Sequence, residues 1–287
     1  MLNHYKKRSL WVSMLMVTAL SCAFSGSWAT DLVPLEVEGQ WSPGGMLIGK
    51  TQAGARISVQ GRELTADGHG RFVFGLGRDF EGNLELQVSA EGGIRTESFS
   101  VSSRTYELQR INGVAKKYVS PPENVLSRIR REAARIRKAR ETHSSLPYFA
   151  QPFIWPAEGP VTGVYGSQRI FNDVPKRPHY GLDIAGPVGT PIIAPASGVV
   201  TLVDNDMYYS GGTLLVDHGQ GISSTFIHLS KVRVVVGQAV KQGELIAEMG
   251  ATGRATGSHL DWRINWFDQR LDPYLLLPAK AETTPAK

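Results

Sequence analysis

From Phe149 onward the chain never sustains a helical apolar period, and this limits its fold more than any other feature. Short apolar runs such as "GTPIIAPASGVVTLV", "GGTLLVDHG", "STFIHLS" and "KQGELIAEMG" are bounded by Gly, Pro, Asp or Ser. Runs of this length with turn residues at both ends read as strands. Residues 148–280 are therefore expected to form an all-β domain, either a compact barrel or two packed sheets.

The N-terminal part of the 287-residue chain is also β-rich. "RISVQG" and "NLELQVSA" alternate apolar and polar residues, and Leu84, Leu86 and Val88 share one face. Asp67-Gly68 and Gly92-Gly93 separate the runs. Residues 30–105 are expected to form a small antiparallel β-sandwich, similar in composition to bacterial immunoglobulin-like modules. A linker over 106–147 then changes character at "PPENVLSRIRREAARIRKARETH". Two prolines open it, and Val125, Ile129, Ala133 and Ile136 recur at helical spacing among arginines. This basic helix is expected to pack its apolar stripe on a neighbouring domain, to place the chain on an anionic surface, or to cover a cleft. The fold class is mainly β: sandwich, linker helix, all-β C-terminal domain and a short tail at 281–287.

Lys6, Lys7 and Arg8 precede an apolar run from Leu10 to Phe24, and Ser27 and Ala29 are the small residues a signal peptidase reads. Residues 1–29 are expected to be a signal peptide. The apolar run is short for a membrane span, so no permanent span is expected in the mature chain. Secretion across the inner membrane, to the periplasm or cell envelope, follows. Cleavage removes Cys22, the only cysteine, and with it any disulfide or catalytic thiol. It also removes three positive charges and no negative ones, so the formal charge falls from +5 to +2. That balance gives no support for a nucleic-acid partner.

His179, His218, His228 and His259 lie in the last domain. His179 precedes Asp183 by four residues and His259 precedes Asp261 by two. In extended chain both spacings put the pair on one face. His228 ends an apolar run in "FIHLS". Imidazoles and carboxylates are the nitrogen and oxygen ligands zinc accepts, and a catalytic site uses three of them plus water. "GATGRATG" lacks the Lys-Ser/Thr ending of a phosphate loop, so its glycines are read as turn formers.

The stretch from Trp155 to Leu277 resembles the lysostaphin-type (LytM-like) zinc endopeptidases that cut cell-wall peptide cross-links. The resemblance rests on "PAEGPVTGVYG", "HYGLDIAGPVGTPIIAPASGVV", "VDHGQGISSTFIHLS", "VGQAVKQGELIAEMGATGRATGSHLDWRI" and "LDPYLLL". It does not extend to the first 105 residues.

This resemblance implies roles by position. His179 and Asp183 match the first two metal ligands. His228 and His259 match the two catalytic histidines that activate water, stabilise the tetrahedral intermediate or protonate the leaving amine. Asp261 stands where the family has its third ligand, a histidine. Carboxylate is an acceptable zinc ligand, so His179, Asp183 and Asp261 are the expected metal set. In a second arrangement His259 ligates and Asp261 orients it. One zinc per chain is implied, and the harder oxygen ligands move preference toward manganese or iron. His218 matches no functional position and is read as structural. Tyr208 or Tyr209 is a candidate for the cleft wall. The implied activity is hydrolysis of peptidoglycan cross-links, with peptidoglycan as partner. The altered ligand keeps open a regulator that activates another cell-wall hydrolase.

Overall fold

The structure, a computed structural model, describes residues 33–112, 121–142, 144–171, 174–175 and 177–280. The expected signal peptide, Cys22 and the 281–287 tail lie outside the described residues, as do parts of the linker. The described residues fall in one compact unit.

Seven strands build the N-terminal part: β1 (Glu36–Gly39), β2 (Met46–Lys50), β3 (Arg56–Val59), β4 (Arg62–Thr65), β5 (Arg71–Gly75), β6 (Asn83–Ala90) and β7 (Gly93–Ser100). They pair antiparallel in two sheets, β1-β2-β5 and β4-β3-β6-β7. The alternation in β6 works as expected, with Leu84, Leu86 and Val88 buried between exposed neighbours. Trp41 stacks on Phe99 at 4.4 Å and closes the sandwich edge. Gly92 and Gly93 carry φ of 126° and 119° at the β6–β7 turn, a backbone that glycine adopts without a Cβ penalty.

The remaining strands are β8 (Leu108–Ile111), β9 (Val161–Gly163), β10 (Gln168–Phe171), β11 (Val174–Pro175), β12 (Leu182–Ala185), β13 (Pro191–Ile193), β14 (Gly198–Met207), β15 (Gly211–Gly219), β16 (Ile222–Leu229), β17 (Lys231–Val232), β18 (Ala239–Val240), β19 (Leu245–Glu248), β20 (His259–Trp266) and β21 (Gln269–Leu271). The main sheet runs β18-β14-β15-β16-β20-β12-β9, with β21 paired to β20. A small sheet, β13-β19-β17, lies beside it. Of the two expected architectures, this is two packed sheets rather than a closed barrel. β8, inside the expected linker, pairs parallel with β10.

Both faces of β15 and β16 are buried. Leu214, Val216 and Phe226 join the main core, while Leu215 turns the other way and packs with Leu202 and Met207. Helix α1 (Glu123–Arg140) covers that second face with Ile136 and Ala139. Arg135 Nη1 meets Asp204 Oδ2 at 2.5 Å, and Glu132 Oε2 accepts from the Tyr208 N–H at 2.9 Å. Of the expected stripe, Ile136 packs on this sheet, and part of the basic character goes into ion pairs with the β14–β15 hairpin.

The two β-regions share one core. Leu271 of β21 fills the space over Gly75, where an added Cβ would sit 2.5 Å from its Cδ2. Arg104 and the buried Asp272 form a 2.6 Å ion pair nearby.

Candidate metal centre

β20 is the element that orders the site. Its alternation sends Leu260, Trp262 and Ile264 into the core, all fully buried. His259, Asp261 and Arg263 take the opposite face, because side chains two apart share a side. β12 pairs antiparallel with β20 so that Asp183 lies directly across from Asp261. Two carboxylates facing each other across a ladder repel, and burial strengthens the repulsion. Such a pair needs positive charge between or beside it.

His179 reaches the same place from a different kind of segment. It was expected in a strand, on the face of Asp183, but it sits in the loop before β12. Its backbone N–H donates to Ser167 O at 2.9 Å, and its carbonyl accepts from Gly166 N–H at 2.7 Å. The loop anchors bring Nε2 to 3.0 Å from Asp183 Oδ1. His179 is buried, and neither ring nitrogen makes a hydrogen bond. One ligand atom each from His179, Asp183 and Asp261 all lie within 4.8 Å of one another.

Two glycines make room for the carboxylates. A Cβ at Gly163 would lie 2.3 Å from Asp183 Oδ2, and one at Gly181 would lie 2.2 Å from Asp261 Oδ1. A buried imidazole without hydrogen bonds, two opposed carboxylates and a glycine-cleared space fit a divalent cation.

Asp261 has a partner that sequence reasoning missed. Arg263 donates from Nε to Oδ1 at 2.8 Å and from Nη2 to Oδ2 at 2.5 Å. Burial alone would raise the Asp261 carboxyl, but this bidentate guanidinium holds it well below the usual carboxylate range. The signal was available: residue 263 shares the strand face of 259 and 261. A carboxylate with such a partner has its orientation fixed.

His228 and His259 stand beside the trio with ring centroids 4.8 Å apart. His228 Nδ1 is 2.8 Å from Thr252 O, and His259 Nδ1 is 2.9 Å from Gly257 O. A carbonyl only accepts, so each Nδ1 carries a proton, and in the neutral ring Nε2 keeps its lone pair. Burial pushes the His228 imidazole down to about 4. His228 also holds a left-handed backbone, φ 66°, pinned by its N–H donation to Ser210 O at 2.8 Å. Strain of this kind in a β-branch-free but bulky residue marks a position fixed by its surroundings.

His218 lies outside the trio. Its Nδ1 donates to Ser197 O at 2.7 Å and its Nε2 accepts from Ser224 Oγ at 2.8 Å, in full burial. A cleft of about 580 Å³ reaches the site at His179 and Arg263. Ile129, Ala133 and Arg137 of α1 line it together with Tyr209, Arg254 and His179. Of the two candidate tyrosines, Tyr209 lines the cleft.

The chain matches the family model of Peptidase family M23 over residues 177–273. A crystal structure assigned to peptidase M23 from Pseudomonas aeruginosa is 33% identical, with a TM-score of 0.65, over 83% of this chain and 95% of that one. The chain belongs to peptidase family M23. The peptidoglycan DD-endopeptidase ShyA of Vibrio cholerae is 40% identical over 98 residues, 33% of this M23 chain and 23% of ShyA. The lipoprotein YgeR of Escherichia coli is 29% identical over 190 residues, 60% of this chain and 72% of YgeR. The chain spans about a quarter of the length of the curated relatives it matches at higher identity.

Proposed function

We propose that this chain is a metal-dependent endopeptidase that hydrolyses peptide cross-links of peptidoglycan. The observation that carries the reading is the His179–Asp183–Asp261 cluster beside two imidazoles whose Nε2 atoms are free to take a proton. Relatives with the same domain are peptidoglycan DD-endopeptidases.

His179, Asp183 and Asp261 would hold one zinc ion. When bound there, the ion supplies Lewis-acid polarisation of the scissile carbonyl and a water of lowered pKa. One histidine and two carboxylates would neutralise the ion's formal charge, and the Arg263 guanidinium offsets part of that loss. His228 and His259 accept the proton of the attacking water at Nε2 and pass it to the leaving amine. In their protonated forms the same N–H groups donate to the oxyanion. The left-handed His228 backbone and the Thr252 carbonyl hold that imidazole in its tautomer before substrate arrives. Tyr209 and α1 narrow the cleft and limit access of bulk water.

Export fits the reading, since the substrate lies outside the cytoplasm. Among the described residues no helix is long and apolar enough to cross a membrane. The deciding experiment incubates the protein with purified peptidoglycan and separates the muropeptides. Cross-linked dimers should fall with wild type and persist with His228→Ala. An unchanged profile with wild type, together with stimulation of a separate amidase, overturns the endopeptidase reading in favour of the regulator.

A further inference from the structure

The cleft at His179 and Arg263 continues into a second cavity of about 340 Å³, between the C-terminal half of α1 and strands β16, β20 and β21. The two share Arg137, Arg177, Arg263 and Arg270. Arg140, in the last turn of α1, lines only the inner cavity. Five guanidiniums therefore border one small space.

The charge is not balanced there. Among the described residues lining the inner cavity the acids are Glu141 and Asp268. Glu141 is exposed at the end of α1, and Asp268 is engaged by Arg62. Arg263 is committed to Asp261. Arg140 is 8% exposed, and among the described residues it donates from Nη2 to Thr225 Oγ1 at 3.1 Å. Its Nε is buried without a hydrogen-bond partner. Arg270 donates to Asn265 Oδ1 at 3.2 Å and lies 5.7 Å over the Tyr180 ring; among the described residues it makes no carboxylate ion pair, though the Asp261 charge acts on it. Burial pushes Arg270 down to about 10, and Arg263 adds repulsion; burial pushes Arg140 down as well.

An unpaired buried guanidinium is costly, and two beside a third are more so. The arrangement is relieved by an anion that enters from the cleft. The forked donors of arginine match a planar carboxylate with two hydrogen bonds. Ile136, Ile227 and Phe267 supply apolar wall between the arginines, which suits a carboxylate on a short aliphatic stem.

We propose that this arginine cavity is a carboxylate-recognition subsite, so that the preferred substrate is an acidic peptide with a free carboxylate within a residue or two of the scissile amide. The proposal rests on the endopeptidase reading for its link to the reaction, but the subsite itself is testable by binding alone. Arg140 and Arg270 are its recognition residues. They do not touch the reacting atoms.

The test uses the full mature chain and two probes: a muropeptide monomer with free carboxylates, and the same peptide with every carboxylate amidated. Calorimetry should show the free acid bound at least about tenfold more tightly by wild type. In Arg140→Met and Arg270→Met that preference should fall below about threefold. These substitutions remove unpaired buried charge at similar volume, so thermal midpoints should hold or rise. Equal binding of the two probes by wild type overturns the proposal. A preference unchanged in both folded variants, or displacement of the free acid and amide alike by inorganic phosphate, does the same. The two readings separate cleanly. Wild type that discriminates the probes but cuts no cross-link keeps the subsite and loses the endopeptidase. Wild type that cuts acidic and amidated cross-links at equal kcat/KM keeps the endopeptidase and loses the subsite.

Discussion

Asp183 and Asp261 face one another across the β12–β20 ladder, and each has a glycine cleared against its carboxylate. The ladder sets the pair in register, while the glycines at 163 and 181 let the oxygens turn toward His179. The site is thus a consequence of strand register as much as of residue choice.

The cleared space predicts the effect of adding one methyl group. In Gly181→Ala the new Cβ would meet Asp261 Oδ1 at 2.2 Å and Arg263 Cγ at 2.9 Å. Misplacing a ligand or its outer partner typically costs about 10–100-fold in metal affinity. Zinc titration against a competing chelator should show a loss of that order, with the circular dichroism spectrum retained. Wild-type affinity in Gly181→Ala would show that the carboxylate does not need that space.

Arg263 sets up a linked prediction. Removing it takes the bidentate guanidinium from the buried Asp261 carboxylate, a broken buried pair that costs about 3–5 kcal/mol. Arg263→Met should therefore melt well below wild type in chelator. Added zinc should restore more stability to the variant than to wild type, because the ion takes over the neutralising role. Equal zinc stabilisation of both proteins would contradict this.

His218 predicts a pH dependence. Full burial holds its imidazole at about 4, against 6.5 for the ordinary group. Between those values the unfolded chain binds a proton that the folded chain refuses. Stability is full above pH 6.5 and declines as pH falls toward 4, by about 3 kcal/mol at most from this residue. Urea midpoints measured across that range should fall, and His218→Gln should fall less steeply. A variant with the wild-type slope would rule out His218 as the cause.

The helix predicts a packing cost. Leu215 is fully buried between Leu202, Met207 and the α1 residues Ile136 and Ala139. Leu215→Ala should destabilise by about 2–5 kcal/mol and loosen α1, read as faster hydrogen exchange over 123–140. Slow exchange there in a destabilised variant would mean that the ion pairs of Arg135 with Asp204 and of Arg128 with Asp206 hold the helix by themselves.

Much of this was legible in the chain because strand patterns are local. Leu84, Leu86 and Val88 announce their buried face by alternation alone. The same period splits β20 into a core face and a site face, so His259 and Asp261 were recognisable as neighbours. His179 and Asp183 do meet, but not along one strand face as their spacing in extended chain implies. The contact comes from a loop held by Ser167 and Gly166, which lie more than ten residues upstream. Arg140, Arg263 and Arg270 were not legible as a group. An arginine in sequence reads equally as a solvated charge or a buried one, and only the docking of α1 on the sheet brings these three together. The parallel pairing of β8 with β10 was hidden for a similar reason, since register between segments about 60 residues apart has no local signature.

The central claim is that His179, Asp183 and Asp261 share one cation. It is tested most directly by the zinc content of the purified mature chain, wild type against Asp183→Ala, after loading and desalting. The account predicts close to one zinc per chain in wild type and little in the variant. No zinc in the wild type, or equal zinc in both proteins, would contradict it.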